Sequence, residues 1–178
     1  MYGEKRAFFN ENQTLFDITD RERLKVMHTR RIGSKPSYNC SESYNEEICN
    51  ESKQEYSDLD YALRYTQKEG GTEYGFFTAR EQDEDFSLGR AYYAARIRKE
   101  SNNKALGYML TYTDDPLLNR TAMVNAVDYD NIVNSKLRIY SILLHADAGD
   151  DSSVGFKGGM RYKPSKDDNH SLGSVSYT

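Results

Sequence analysis

Two seven-residue stretches of this chain share one pattern: Leu59-Asp60-Tyr61-Ala62-Leu63-Arg64-Tyr65 and Leu106-Gly107-Tyr108-Met109-Leu110-Thr111-Tyr112. Each sets a leucine or tyrosine at every second position. Successive side chains of a strand leave on opposite faces, whereas an amphipathic helix needs its apolar residues three and four apart. Leu59, Tyr61, Leu63 and Tyr65 therefore predict one face of a β-strand, and Leu106, Tyr108, Leu110 and Tyr112 another. A chain built from such segments folds into a sheet whose two faces meet different surroundings.

The same alternation, broken by turn residues, predicts strands over Leu24–Arg31, Tyr56–Thr66, Thr72–Arg80, Arg90–Lys99, Lys104–Thr113, Thr121–Asp130, Lys136–Ala146, Ser153–Lys163 and His170–Tyr177. The Gly70-Gly71 pair suits a tight hairpin. The expected fold is all-β: one domain over residues 1–178, an antiparallel up-and-down meander of about nine strands forming part or all of a β-barrel, with an irregular segment at 1–23. The connections at 32–55, 81–89, 114–120 and 147–152 all fall at one end of such a meander. They carry 14 acidic residues against three basic ones, Lys35, Lys53 and Arg120. Short turns at one end and longer loops at the other are a habit of transmembrane barrels.

No apolar run approaches the roughly 18 residues of a membrane-spanning helix. The start, Met1-Tyr2-Gly3-Glu4-Lys5-Arg6, lacks the apolar stretch of a secretory signal, so the chain reads as cytoplasmic or as a piece of something longer. A net charge of −4 gives no argument for nucleic acid, and none is expected as a partner. Fifteen tyrosines and no tryptophan suit pleated surfaces and boundaries between apolar and wet regions. Tyr65 and Tyr112, which end their stripes, fit an interfacial girdle.

The face opposite the leucines and tyrosines is rich in positive charge. Arg64, Tyr92, Arg96, Arg98, Lys157 and Arg161 are the residues expected to line the interior of a barrel, joined by Lys136 and Arg138. Charges there need partners or water, and Asp58, Asp60 and Asp128 are available. Two readings follow: a self-neutralising ladder that fills the interior, or a basic lumen that attracts anionic solutes. A soluble lipocalin-like carrier would reverse the faces and enclose a small apolar ligand with Leu59, Leu63, Leu106 and Leu110. An interaction module would instead use exposed sheet edges.

Other chemistry has little support. Cys40 and Cys49 lie close together in a polar stretch; they form a local disulfide in an oxidising compartment and stay free thiols in a reducing one. His28, His145 and His170 fall on separate predicted strands without metal-ligand spacing. The acidic runs Asp83-Glu84-Asp85 and 147–151 offer oxygens for Ca²⁺ but lack the EF-hand spacing. Gly155, Gly158 and Gly159 sit within a strand and form no phosphate loop, and no Gly-x-Ser-x-Gly occurs. No catalytic residue, metal or cofactor is expected.

The opening segments, Glu4-Lys5-Arg6-Ala7-Phe8-Phe9-Asn10-Glu11-Asn12, Leu15-Phe16-Asp17 and Thr29-Arg30-Arg31-Ile32-Gly33, resemble the corresponding run of an uncharacterised family of bacterial outer-membrane barrels. Members of that family usually carry a family-nine-type carbohydrate-binding-like domain ahead of the barrel. Asp60-Tyr61-Ala62-Leu63 through Gly75-Phe76, and Asn119-Arg120 with Val127-Asp128-Tyr129, look like its following strands. Ala7 stands where the family has proline, and Ser174 to Thr178 lack the terminal aromatic of a complete barrel. The resemblance implies a slice of a larger barrel in the bacterial outer membrane. Lipid would surround it, saccharides or anionic solutes would be its ligands, and missing segments or further copies would complete it.

Overall fold

Eight strands lie side by side in chain order in a single antiparallel sheet: β1 (Leu59–Glu69), β2 (Thr72–Glu81), β3 (Ala91–Ser101), β4 (Lys104–Asp115), β5 (Arg120–Ile132), β6 (Leu137–Ala148), β7 (Asp151–Tyr162) and β8 (His170–Tyr177). They are seen in a computed structural model that describes residues 8, 13–18, 26–40, 46–164 and 170–177. Among the described residues ahead of the sheet are the short helices α1 (Gln13–Phe16) and α2 (Glu46–Glu51), with a 3-10 turn at Thr29–Arg31 between them. No helix among the described residues is long and apolar enough to cross a membrane.

The all-β meander is as expected, with two corrections. Among the described residues there are eight strands and not nine. The predicted first strand, Leu24–Arg31, is unpaired over residues 26–28 and then turns at Thr29–Arg31, while Leu24 and Lys25 lie outside the described residues. The sheet is open, which of the two expected alternatives, part or all of a barrel, excludes the complete one for these strands: β1 and β8 are its edges and do not pair with each other. Finally, long connections do not collect at one end. β4 and β5 shorten the expected loop 114–120 to Pro116–Asn119, and β6 and β7 shorten 147–152 to Gly149-Asp150. Ladder hydrogen bonds belong to the backbone, so pairing continues through polar Thr111–Asp115 after the apolar alternation has faded.

Turn chemistry supports the hairpins. Gly70 and Gly71 both take positive φ, 54° and 77°, as a two-residue turn that matches strand twist requires. Asn102 (φ 49°), first in the β3–β4 turn, and Asn119 (φ 46°), last in the β4–β5 loop, also take positive φ, a conformation asparagine tolerates better than other side-chain-bearing residues.

The sheet curls. Its hydrogen-bonded row through Leu63 passes Thr78, Tyr93, Tyr112, Met123 and Asp147 and reaches β7 at Ser152. The apolar stripe of β7, Val154 to Tyr162, is instead centred on Gly158, six residues further along. Such a stagger tilts strands against a common axis and is the geometry of barrel walls.

On the concave side, the segment ahead of β1 packs into the curl. Leu15, Phe16, Ile18 and Ile32 are buried against Phe77, Ala79, Met109, Ala126 and Ile142. Each large apolar side chain removed from water here contributes about 1.5–3 kcal/mol. Gly75 makes room for them, since a Cβ there would stand 2.6 Å from Leu15 Cδ2 and 3.1 Å from Phe16 Cζ. The expected watery interior is therefore partly filled by the chain's own N-terminal segment.

Candidate functional site

The convex face is apolar and open. Leu63 is 62% exposed and Leu106 56%, and Tyr65, Phe76, Ile97, Tyr108, Val127, Leu143, Phe156 and Leu172 continue the band across all eight strands. Leu59 departs from its expected face. The β1–β2 register shifts between Leu59 and Tyr61, and a bulge of this kind moves every residue before it to the other side. Leu59 accordingly packs, partly buried, against the concave core. Of the four leucines a carrier would use, Leu63 and Leu106 point away from the concavity and are exposed.

The concave face holds the charges in two groups. Near the β2–β3 loop, Glu81 is 1% exposed and accepts from Arg90 Nε at 2.7 Å, Arg90 Nη2 at 3.0 Å, Gly33 N at 2.8 Å and Tyr92 Oη at 3.1 Å. Arg90 Nη2 also donates to Ser34 O at 3.2 Å, and Tyr92 Oη lies 3.2 Å from Arg31 O. A buried carboxylate is tolerable only when its lone pairs are taken up in this way. The knot ties Arg31–Ser34 to the sheet. Beside it, Val26, Met27, Ile32, Phe77 and Leu144 line an opening of about 360 Å³.

The second group surrounds a cavity of about 350 Å³ toward the opposite end. Arg96 is 4% exposed; its Nη2 donates to Asp128 Oδ2 at 3.0 Å, and Nη1 stands 2.8 Å from Oδ1. Gly107 lets the pair lie flat on the sheet, because a Cβ there would come within 2.4 Å of Asp128 Oδ1 and 2.9 Å of Arg96 Nη2. Arg138 Nε donates to both Asp130 oxygens at 2.9 Å, and Arg98 pairs with Glu100. Arg161, directly opposite Arg138 in the ladder, makes no ion pair among the described residues. Tyr140 lies over Gly159, where a Cβ would come within 2.2 Å of its hydroxyl.

Of the six expected interior residues, the fold thus brings Arg96, Arg98 and Arg161 to one cavity. Tyr92 belongs to the Glu81 knot. Arg64 reaches the N-terminal segment, its Nη1 donating to Phe8 O at 2.6 Å with the guanidinium 5.0 Å from the Phe8 ring centre. Lys157 is buried beside Ile142 and is not among the residues lining that cavity. Glu81 and Arg90 were not anticipated as a pair. The signal was present: Phe77, Ala79 and Glu81 continue one face if β2 runs one residue past Arg80.

The Cys40–Cys49 disulfide is formed, with Cys49 buried on α2. Tyr38 Oη donates to Glu84 at 3.1 Å and accepts from Gln54 N at 2.8 Å, joining that disulfide-bearing region to the β2–β3 loop. Burial pushes the Tyr38 phenol above its ordinary pKa; the bond to Glu84 adds to this and the bond from Gln54 opposes it. His145 stands between Ser152 Oγ, 3.2 Å from Nε2, and Asp147 Oδ2, 3.4 Å from Nδ1. The order is that of a hydrolase relay, but all three side chains are open to solvent, and such a relay works through preorganisation away from water. Among the described residues no three His, Cys, Asp or Glu side chains converge as a metal site. No protein-family model, no curated protein and no solved structure matches this chain.

Proposed function

We propose that this chain forms part of an outer-membrane β-barrel, with its convex face against lipid and its concave face lining a polar interior. That interior serves as a pore or surface-binding scaffold for saccharides or anionic solutes. The observation that carries the reading is an inversion: Leu63, Leu106, Leu143 and Phe156 are exposed while Glu81, Arg96 and Lys157 are buried. A water-soluble sheet buries its apolar face, and a wide apolar exterior marks a partner or membrane surface. The alternating apolar-out, polar-in strands are those of a membrane barrel. In hydrocarbon the open edges of β1 and β8 need pairing, because unmade backbone hydrogen bonds cost several kcal/mol each. Further strands of the same polypeptide or a second copy supply it.

The absence of tryptophan makes a direct test available. Leu106→Trp and Leu143→Trp report from the convex face, and Tyr140→Trp from the concave one. In vesicles containing brominated acyl chains, the two convex reporters are expected to be blue-shifted and strongly quenched, and the concave one much less so. Unquenched, red-shifted emission from both convex reporters would remove the membrane reading.

A further inference from the structure

We infer that the cavity bounded by Arg96, Arg98, Arg138 and Arg161 is a binding site for the oxyanion group of a small polyhydroxylated solute: a sugar acid or a sugar phosphate. The inference rests on the polar-interior reading above and names the ligand class of that interior.

Three observations converge on it. Arg138 and Arg161 stand directly opposite each other across the β6–β7 ladder. Like charges in that position are destabilising unless something between them compensates. Asp130 is engaged by Arg138, which leaves Arg161 as a cation without an ion pair among the described residues, on the wall of a cavity. Arg96, on the same wall and 4% exposed, is fixed there by Asp128, so its charge is already compensated and Arg161 is the guanidinium left to receive an anion. Guanidinium forks match the planar or tetrahedral oxygens of carboxylate and phosphate better than any other side chain.

The size and remaining lining define the rest of the ligand. About 350 Å³ lies at the small end of ligand sites and accommodates a monosaccharide rather than a polymer. Asp17 and Glu73 also line the cavity. Carboxylates repel a second anionic group but accept hydrogen bonds from hydroxyls, which favours a solute with one anionic end and a polyol body. The site then divides its work: Arg161 and Arg138 take the oxyanion and the acids take the hydroxyls.

Titration calorimetry on the full chain in detergent tests this with four probes: glucuronate, glucose 6-phosphate, glucose and inorganic phosphate. Glucuronate and glucose 6-phosphate are expected to bind, and each at least tenfold more tightly than glucose or inorganic phosphate. Arg161→Gln should weaken both by about 10- to 100-fold, the range for a lost hydrogen bond to a charged group, while its circular dichroism stays that of the parent. Arg64→Gln, remote from the cavity, should leave both affinities within twofold. Binding of inorganic phosphate as tight as glucose 6-phosphate would overturn the polyol part. Absence of heat with either anionic sugar, or an Arg161→Gln variant that binds as the parent does, would overturn the site. The bromolipid quenching is independent, so a failure here with quenching intact removes the ligand and leaves the membrane reading standing.

Discussion

Glu81 holds a charge almost wholly out of water through donors on Gly33, Arg90 and Tyr92. Removing one partner of a buried pair costs more than the pair contributes, because the other charge is left behind. Glu81→Ala is expected to cost about 3–5 kcal/mol in urea unfolding, whereas Glu55→Ala, on an exposed side chain, should stay within about 0.5 kcal/mol. Tyr38 offers a pH test at the same scale. Its folded-state pKa is raised by burial, so the folded chain holds that proton more tightly than the unfolded one. The contribution is full below the ordinary tyrosine value of about 10 and declines as pH climbs through the raised value. The stability gap between the parent and Tyr38→Phe should narrow above that pH, and difference absorbance should show one fewer late-ionising phenol in Tyr38→Phe than in the parent.

Among the elements, α2 is six residues long, too short to persist on its own propensity. The disulfide from Cys49 on α2 to Cys40 and the Tyr38 bridge to Glu84 are what hold it near the β2–β3 loop. Cross-linking over so short a loop limits the unfolded chain by roughly 2–3 kcal/mol. Cys40→Ser with Cys49→Ser should therefore leave the strands intact and make the segment ahead of β1 the first site of proteolysis. Cleavage starting within β3–β6 instead would show that the disulfide braces the sheet. The strands themselves are long because backbone pairing does not require apolar side chains, and β4 and β5 each run past the end of their hydrophobic alternation.

For the molecule as a whole, the convex face decides between lipid and water. Leu143→Arg places a charge in the middle of the apolar band, between Val127 and Phe156. In a bilayer this is expected to cost about 2–4 kcal/mol, measured by equilibrium unfolding in vesicles. On a face bathed by water the same change would sit within about 0.5 kcal/mol. Leu137→Arg, at the end of β6 and level with Tyr162, should cost less, since the penalty falls toward the interface.

The eight paired strands, the hairpin positions and the sorting of Leu63, Leu106, Tyr108, Ile97 and Phe156 against Arg96, Arg98 and Lys157 were legible in the order of residues, though the same alternation also suggested a strand at Leu24–Arg31 that does not form over its described residues. The side-chain period of a strand is a local property, set two residues at a time. What the order of residues could not specify was long-range. The bulge that turns Leu59 inward depends on how β1 registers against β2. The seating of Leu15, Phe16 and Ile32 in the concavity, and the Glu81–Arg90 knot that holds Gly33, join positions separated by tens of residues. The grouping of Arg96, Arg98, Arg138 and Arg161 around one cavity needed strands β3 to β7 to be staggered and curled together. Alternation assigns each residue a face, while only the paired and curved sheet determines which residues of that face meet.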